Sequence, residues 1–145
     1  MQGPFNEGYA KLSPNGKWLA YTSDESNRSE VYVQEFAVSD GARSTSASGK
    51  WQISTSGGSR PIWSREGKEL FFIGGNEKTM AMEIKNGPKF DTGPPKALFD
   101  TRIGGSIDYW FDVAKDGRFL IPVRLEQATS EPITVVVNWQ AGLKK

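Results

Sequence analysis

The sequence of 145 residues contains no cysteine and no histidine. Without cysteine the chain has no disulfide, no thiolate ligand for zinc and no cysteine nucleophile. Without histidine it has no Ser-His-Asp triad, no imidazole metal site and no general base of the usual kind near neutral pH. Carboxylate pairs and Ser-Lys pairs remain formally possible. We therefore expect a protein that is not an enzyme, with no catalytic residue, no metal site and no cofactor.

The chain also lacks an excess of either charge and any long apolar run. Lys and Arg total 18 against 17 for Asp and Glu, a net charge of +1. This balance argues against nucleic-acid binding through bulk charge. No apolar run approaches the ~20 residues that span a bilayer, so we expect no membrane insertion by this segment. Residues 1–4 lack the basic start and apolar stretch of a signal peptide, and the missing cysteine leaves the compartment open.

Three segments of the chain resemble one another around a shared glycine. The glycines are Gly16, Gly67 and Gly117, spaced by 51 and 50 residues, and the segments cover residues 12–21, 63–72 and 113–122. An Asn, Glu or Asp precedes each glycine, and a Lys or Arg follows it. Such triplets between apolar runs favour tight two-residue hairpin turns, whose central residues take positive φ. We predict that these glycines are structural turn residues rather than ligand contacts.

Short β-rich runs follow each other through the three repeats, and no helical apolar period is present. The predicted strands are 9–13, 18–23, 29–36 and 50–55, then 60–64, 69–74, 78–85 and 96–101, then 109–114, 118–124 and 132–139. Four strands per ~50 residues indicate an all-β fold and are typical of β-propeller blades. Runs such as residues 70–73 are apolar on both faces, which a blade covered on both sides would require.

Residues 12–23 carry a more specific likeness. The sequence LSPNGKWLAYTS resembles the SPDG(K/R)xLA(F/Y) signature of WD40-like, TolB-type β-propeller repeats, also called PD40 repeats. Together with residues 30–33, 51–54 and 63–72, it is similar to propellers at the C-terminus of bacterial serine/threonine protein kinases. The third repeat departs, with Ala114-Lys115 where the family has Ser-Pro. No kinase motif is present, so the resemblance implies no kinase activity.

The resemblance implies one propeller unit over residues 1–145 with three blades, at about 9–55, 60–101 and 109–139. The third blade lacks its own outer strand, whereas residues 2–6 precede the first inner strand. Closed propellers hold 4–8 blades, so three blades cannot form a ring. Either the chain is part of a longer one, or two copies form a six-bladed homodimer. In the homodimer, residues 2–6 complete a blade of the partner in trans, beside residues 133–139.

Ligands of such propellers usually meet the channel mouth, where the loops between blades lie. Arg60, Arg102 and Asp108 fall nearest the predicted channel, and we name them as candidate ligand-binding residues for a protein or peptide. Ordinary solvated loops are the alternative interpretation of this face. A stacking platform is an alternative to core packing for the five tryptophans, which are Trp18, Trp51, Trp63, Trp110 and Trp139.

Two functional hypotheses follow from the resemblance. The first is a non-catalytic interaction or scaffold module, the sensor part of a larger kinase-like receptor. The second is an accessory gating propeller of a serine peptidase of the prolyl-oligopeptidase kind. A kinase domain upstream or an α/β-hydrolase domain downstream would discriminate them. The module would be extracytoplasmic as part of a receptor kinase and cytoplasmic if expressed alone.

Overall fold

The computed structural model describes residues 4–39, 42–85, 89–101 and 111–121, and every regular element in these ranges is an antiparallel β-strand. The strands are β1 (Glu7–Leu12), β2 (Trp18–Ser23), β3 (Glu30–Ser39), β4 (Ala42–Gln52), β5 (Gly58–Trp63), β6 (Glu69–Gly74), β7 (Lys78–Lys85), β8 (Asp91–Thr92), β9 (Lys96–Asp100), β10 (Asp112–Val113) and β11 (Phe119–Leu120). The predicted all-β class is confirmed. The remaining parts of the predicted third blade lie outside the described residues.

The strands form successive sheets in chain order. The first sheet has the order β1-β2-β3-β4, and the second has the order β5-β6-β7. The fourth position of the second sheet is shared, because β8 pairs with one end of β7 and β9 with the other. Strands β10 and β11 form a separate hairpin. Each sheet is thus built from a continuous stretch of chain, and β9 is the one described strand that pairs with a strand not adjacent to it in the chain.

The three repeated glycines occupy hairpin loops with φ of 72° at Gly16, 69° at Gly67 and 80° at Gly117. These values confirm the predicted positive φ at the glycines of the hairpin turns, but the loops are longer than tight two-residue turns and only one residue of each has positive φ. Ser13 donates its N–H to the carbonyl of Trp18 at 2.8 Å, which leaves a four-residue loop between them. The N–H of Gly16 bonds the carbonyl of Ser13, so a β-turn comes first and the glycine follows it. Longer hairpin loops of this kind need one left-handed residue, which explains why only the glycine has positive φ.

Serine hydroxyls set the length of the first two loops. Ser13 Oγ accepts the N–H of Trp18 at 2.9 Å, and Ser64 Oγ accepts the N–H of Glu69 at 3.0 Å. The third repeat has Ala114 at this place, and its N–H bonds the carbonyl of Arg118 at 2.7 Å, closing a loop of only three residues. The third hairpin is therefore one residue tighter than the first two.

Residues 39–49, which the sequence predicts to be a low-complexity loop between the third and fourth strands, are a second point of difference; the predicted mobility of the loop tip stays a prediction. In the structure β3 continues to Ser39 and β4 begins at Ala42, and these two residues pair. The ladder reaches back to the pair of Phe36 with Thr45. The two intervening residues are Asp-Gly, a favoured dipeptide for two-residue hairpin loops, so the segment contains a hairpin signal that its Ser-rich composition obscures.

Two apolar cores lie on opposite faces of the second sheet. On β6, Leu70 and Phe72 face the first sheet, where they pack with Val31 and Val33 among others. The alternate residues Phe71 and Ile73 face the third hairpin. Side chains alternate across a strand, so an uninterrupted apolar run requires cover on both faces. The sheets therefore stack as successive layers, with β6 in the middle one.

We expect Gly67→Val to lower the free energy of unfolding by more than about 1 kcal/mol, because a β-branched residue tolerates φ of 69° poorly. A Cβ added at Gly67 would meet only Pro14, at ordinary contact distance, so the loss reports backbone conformation rather than a clash. Gly8→Val is the control, since Gly8 lies in β1 without positive φ and has no atom within 4 Å of an added Cβ. Equal urea midpoints for the two variants would contradict the turn assignment.

Candidate functional site

Hydrogen bonds connect the loops at one end of the stacked sheets. Gly58 donates its N–H to the carbonyl of Ser29 at 2.9 Å, and Gly75 donates to Gly57 at 3.0 Å. Thr101 donates its N–H to the carbonyl of Glu77 at 2.8 Å. The loops β2–β3, β4–β5 and β6–β7 thus meet at this end, which is the end that the sequence assigns to the ligand-binding face.

The buried carboxylate of Glu30 holds the chain where it passes from the first sheet to the second. Its side chain is 0% exposed and accepts the N–H of Gly57 at 2.9 Å, together with the hydroxyl of Ser54. Arg28 Nε lies 2.6 Å from Glu30 Oε1, and Arg28 also donates to the carbonyl of Thr55. A buried charge is retained only where such partners satisfy it. Glu30 therefore fixes the start of β5.

A second polar contact anchors the segment before β1. Asn6 donates from its backbone N–H to Asp24 Oδ1 at 2.9 Å and from its side-chain amide to Asp24 Oδ2 at 2.6 Å. These bonds, the side-chain bond foremost, lower the pKa of Asp24 below its ordinary value. The contact places residue 6 beside the β2–β3 loop of the same chain. Residues 1–3 lie outside the described part of the chain, so the predicted pairing of residues 2–6 in trans stays a prediction.

A pair of buried tyrosines in the first sheet lies beside a lysine. The rings of Tyr21 and Tyr32 stack across β2 and β3 at 5.9 Å, and Lys50 Nζ lies 4.9 Å from the Tyr32 centroid. Lys50 also forms an ion pair with Glu25. Burial raises the pKa of Tyr21, although its hydrogen bond to Lys50 acts in the opposite direction. These groups partner one another, and we assign them a structural role.

The first strand of each sheet contains a β-bulge with an unusual residue in it. Tyr9 lies where the register of β1 against β2 shifts, and Arg60 lies where the register of β5 against β6 shifts. Their φ angles are 53° and 54°, in the left-handed region that favours glycine. The two positions are 51 residues apart, which is also the spacing between the glycines of their hairpins. The same bulge therefore recurs in both sheets.

The side chains of the two bulge residues meet at the edge formed by β1 and β5, here called the β1/β5 edge. Arg60 Cζ lies 4.9 Å from the centroid of the Tyr9 ring, a cation–π geometry. Arg60 Nη2 lies 3.4 Å from the Tyr9 hydroxyl, and the Arg60 backbone N–H donates to Thr22 Oγ1 at 3.1 Å. Arg60 Nε is buried and has no hydrogen-bond partner within the described residues.

A small recess adjoins this pair. Its volume is about 10 Å³, room for one water-sized atom. Its lining consists of Tyr9, Lys11, Arg60, Pro61, Ile62 and Phe111. The lining includes two cationic side chains and no carboxylate among the residues that the structure describes. The surface that these residues expose to the recess is almost wholly apolar.

The predicted site residues are only partly placed. Arg60 lies on β5 at the β1/β5 edge, while Arg102 and Asp108 fall outside the described residues. Trp63 is buried in the core between the sheets, and Trp18 and Trp51 pack against that core. These three tryptophans have the environment of core packing rather than of an exposed stacking platform. Trp110 and Trp139 also lie outside the described ranges.

Sequence reasoning missed Tyr9. Its position is the signal, because Tyr9 occupies the place in the first repeat that Arg60 occupies in the second. The same place in the third repeat, 50 residues after Arg60, is occupied by Trp110, which is aromatic like Tyr9. Aligning the residues before each hairpin would have singled out this position, although not its backbone conformation.

No family model matches the chain, and no curated protein matches it. Within the described ranges, no group of three or more acidic side chains is placed to hold a metal ion. No helix in that same part of the chain is long and apolar enough to cross a membrane.

We expect Glu30→Gln to lower the free energy of unfolding by about 1–3 kcal/mol, because an amide cannot accept all the hydrogen bonds of the buried carboxylate. Glu35→Gln is the matched control, since Glu35 lies exposed on the same strand. That variant should change stability by no more than about 0.5 kcal/mol. Chemical denaturation measures both, and a neutral Glu30→Gln would contradict the role given to this carboxylate.

Proposed function

We propose that the chain is a non-catalytic β-propeller interaction module whose three blades assemble with three from a second copy. The observation that carries the proposal is the double-sided burial of β6. Leu70 and Phe72 pack toward one sheet, while Phe71 and Ile73 pack toward the next unit. A two-layer sandwich would leave one face of each sheet for solvent, whereas a blade is covered by neighbours on both sides.

The arrangement of equivalent strands also supports a propeller. The first strands of the two sheets lie side by side, as the hydrogen bond from Trp63 Nε1 on β5 to the carbonyl of Lys11 on β1 at 2.9 Å shows. In a propeller the first strand of every blade lines the central channel, so inner strands of adjacent blades are neighbours. The likeness of residues 12–23 to WD40-like, TolB-type repeats agrees with this arrangement.

The third hairpin offers an apolar surface for a further blade. Phe119 on β11 packs against Phe71 at a ring distance of 4.9 Å. The adjacent Leu120 points to the opposite face and is 54% exposed. Burial of apolar surface contributes about 25 cal/mol per Å², so two extensive contacts per ring would exceed an association penalty of about 4–15 kcal/mol. A two-fold dimer supplies both contacts with one self-complementary arrangement.

The assembly is tested by the mass in solution. We expect light scattering at micromolar concentration to give twice the 16.0 kDa of one chain. Leu120→Asp should shift the equilibrium toward the monomer, and Ala114→Asp, on the exposed loop of the same hairpin, should not. Deleting residues 1–5 should weaken the dimer without abolishing it. A wild-type monomer, or a ring with another number of blades, would rule out the six-bladed dimer.

We also expect no hydrolase, transferase or redox turnover by the purified chain. The sequence supplies neither histidine nor cysteine for such chemistry. A panel of ester, peptide, phosphoester and glycoside substrates tests this at neutral pH. Reproducible turnover that disappears when a single Asp or Glu is replaced would show that the module is an enzyme.

A further inference from the structure

We propose that Arg60 and Tyr9 form a binding site for the carboxylate group of a peptide at the β1/β5 edge. This inference deepens the proposed interaction module by naming its ligand chemistry, and to that extent it rests on it. The site consists of the guanidinium of Arg60, the ring of Tyr9 and the recess beside them.

Backbone conformation is the first reason to look for a function here. A left-handed backbone is unfavourable for residues with bulky side chains, and glycine removes that penalty. Elsewhere in the described ranges this conformation falls on glycines, such as Gly16 and Gly57, and on Asn27 and Glu77 in exposed loops between strands. Tyr9 and Arg60 instead adopt it inside paired strands, and both carry large side chains. Strained positions of this kind cluster at ligand sites, where the side chain is needed in that orientation.

The partners of Arg60 give the second reason. Its guanidinium stacks on Tyr9 and makes one long contact to the tyrosine hydroxyl, but forms no ion pair with any described residue. Its Nε is buried without a hydrogen-bond partner. An unsatisfied buried donor on a permanent cation is unfavourable until an anionic acceptor arrives. A carboxylate would supply that acceptor.

The lining of the recess selects among anions. Its surface is almost wholly apolar, and the Tyr9 ring and Phe111 offer contact to a hydrocarbon chain. A carboxylate flanked by hydrocarbon can meet the guanidinium fork of Arg60 beside this surface at a smaller desolvation cost than a phosphate, which carries more charge. Both a C-terminal carboxylate and an Asp or Glu side chain have this chemistry.

The test follows the Arg60 Nε–Hε resonance of the full-length 15N-labelled chain by NMR. The probes are Ac-Gly-Gly-Phe with a free C-terminus, the same peptide amidated, amidated Ac-Gly-Glu-Phe, and inorganic phosphate. We expect saturable shifts with the two carboxylate peptides and none with the amidated control or phosphate. The tighter of the two carboxylate peptides identifies the terminal or the side-chain source.

Variants separate binding from folding. Arg60→Gln should weaken peptide binding about tenfold or more, as loss of a charged hydrogen bond does. Arg60→Lys should also weaken it, because lysine keeps the charge but lacks the planar fork. Arg65→Gln, at an exposed position on the neighbouring hairpin loop, should bind like the wild type. Arg60→Gly relieves the left-handed strain, so it should fold, retain its spectrum elsewhere and lose binding.

The outcomes distinguish this site from the assembly. No shift of Arg60 with either carboxylate peptide, or equal shifts with phosphate or the amidated peptide, would overturn the carboxylate site. Unchanged binding in the folded Arg60→Gly variant would also overturn it. Carboxylate-specific shifts in a chain whose mass is that of a monomer would support the binding site and contradict the six-bladed dimer. A dimer without those shifts would support the six-bladed dimer and contradict the binding site.

Discussion

Burial on both faces of β6 is the constraint on which the rest of the structure depends. Residues 70–73 are apolar without a break, so the strand is stable only between two layers. The first sheet covers one face, and the third hairpin covers the other. The second sheet must therefore form with neighbours on either side, and the stacking brings β1 and β5 together at one edge.

Hydrogen bonds to a buried carboxylate hold the segment that joins the first sheet to the second. Glu30 accepts hydrogen bonds from the segment that leaves the first sheet, so its carboxylate determines where β5 starts. Two residues into β5 the chain bulges at Arg60, and the guanidinium then reaches Tyr9 on β1. The position of the candidate site thus follows from a buried charge several residues away from it. A change at Glu30 would be expected to alter the geometry of the edge as well as stability.

The all-β class, most strand positions and the positive φ of the three glycines follow from local patterns of apolar residues and turn residues. The length of the hairpin loops did not follow from these patterns. It depends on a serine hydroxyl that closes the loop and lies outside the three residues centred on the glycine. The hairpin over residues 39–49 was obscured by a composition that usually indicates a loop. Arg60 was found from its place in the predicted fold. Its bulge and its contact with Tyr9 depend on pairing between distant segments, which no local pattern encodes.

The tighter third hairpin has a consequence for comparing the repeats with one another. Shifting a strand by one residue exchanges its two faces. Leu70 and Leu120 occupy the same place after their glycines, yet Leu70 is 0% exposed and Leu120 is 54% exposed. Phe119, aligned with the exposed Glu69, packs inward instead. Aligned residues of the third unit therefore do not share the burial of their counterparts in the first two units. Tolerance to substitution measured at a strand position of the first two units applies to the third unit only after the alignment is shifted by one residue.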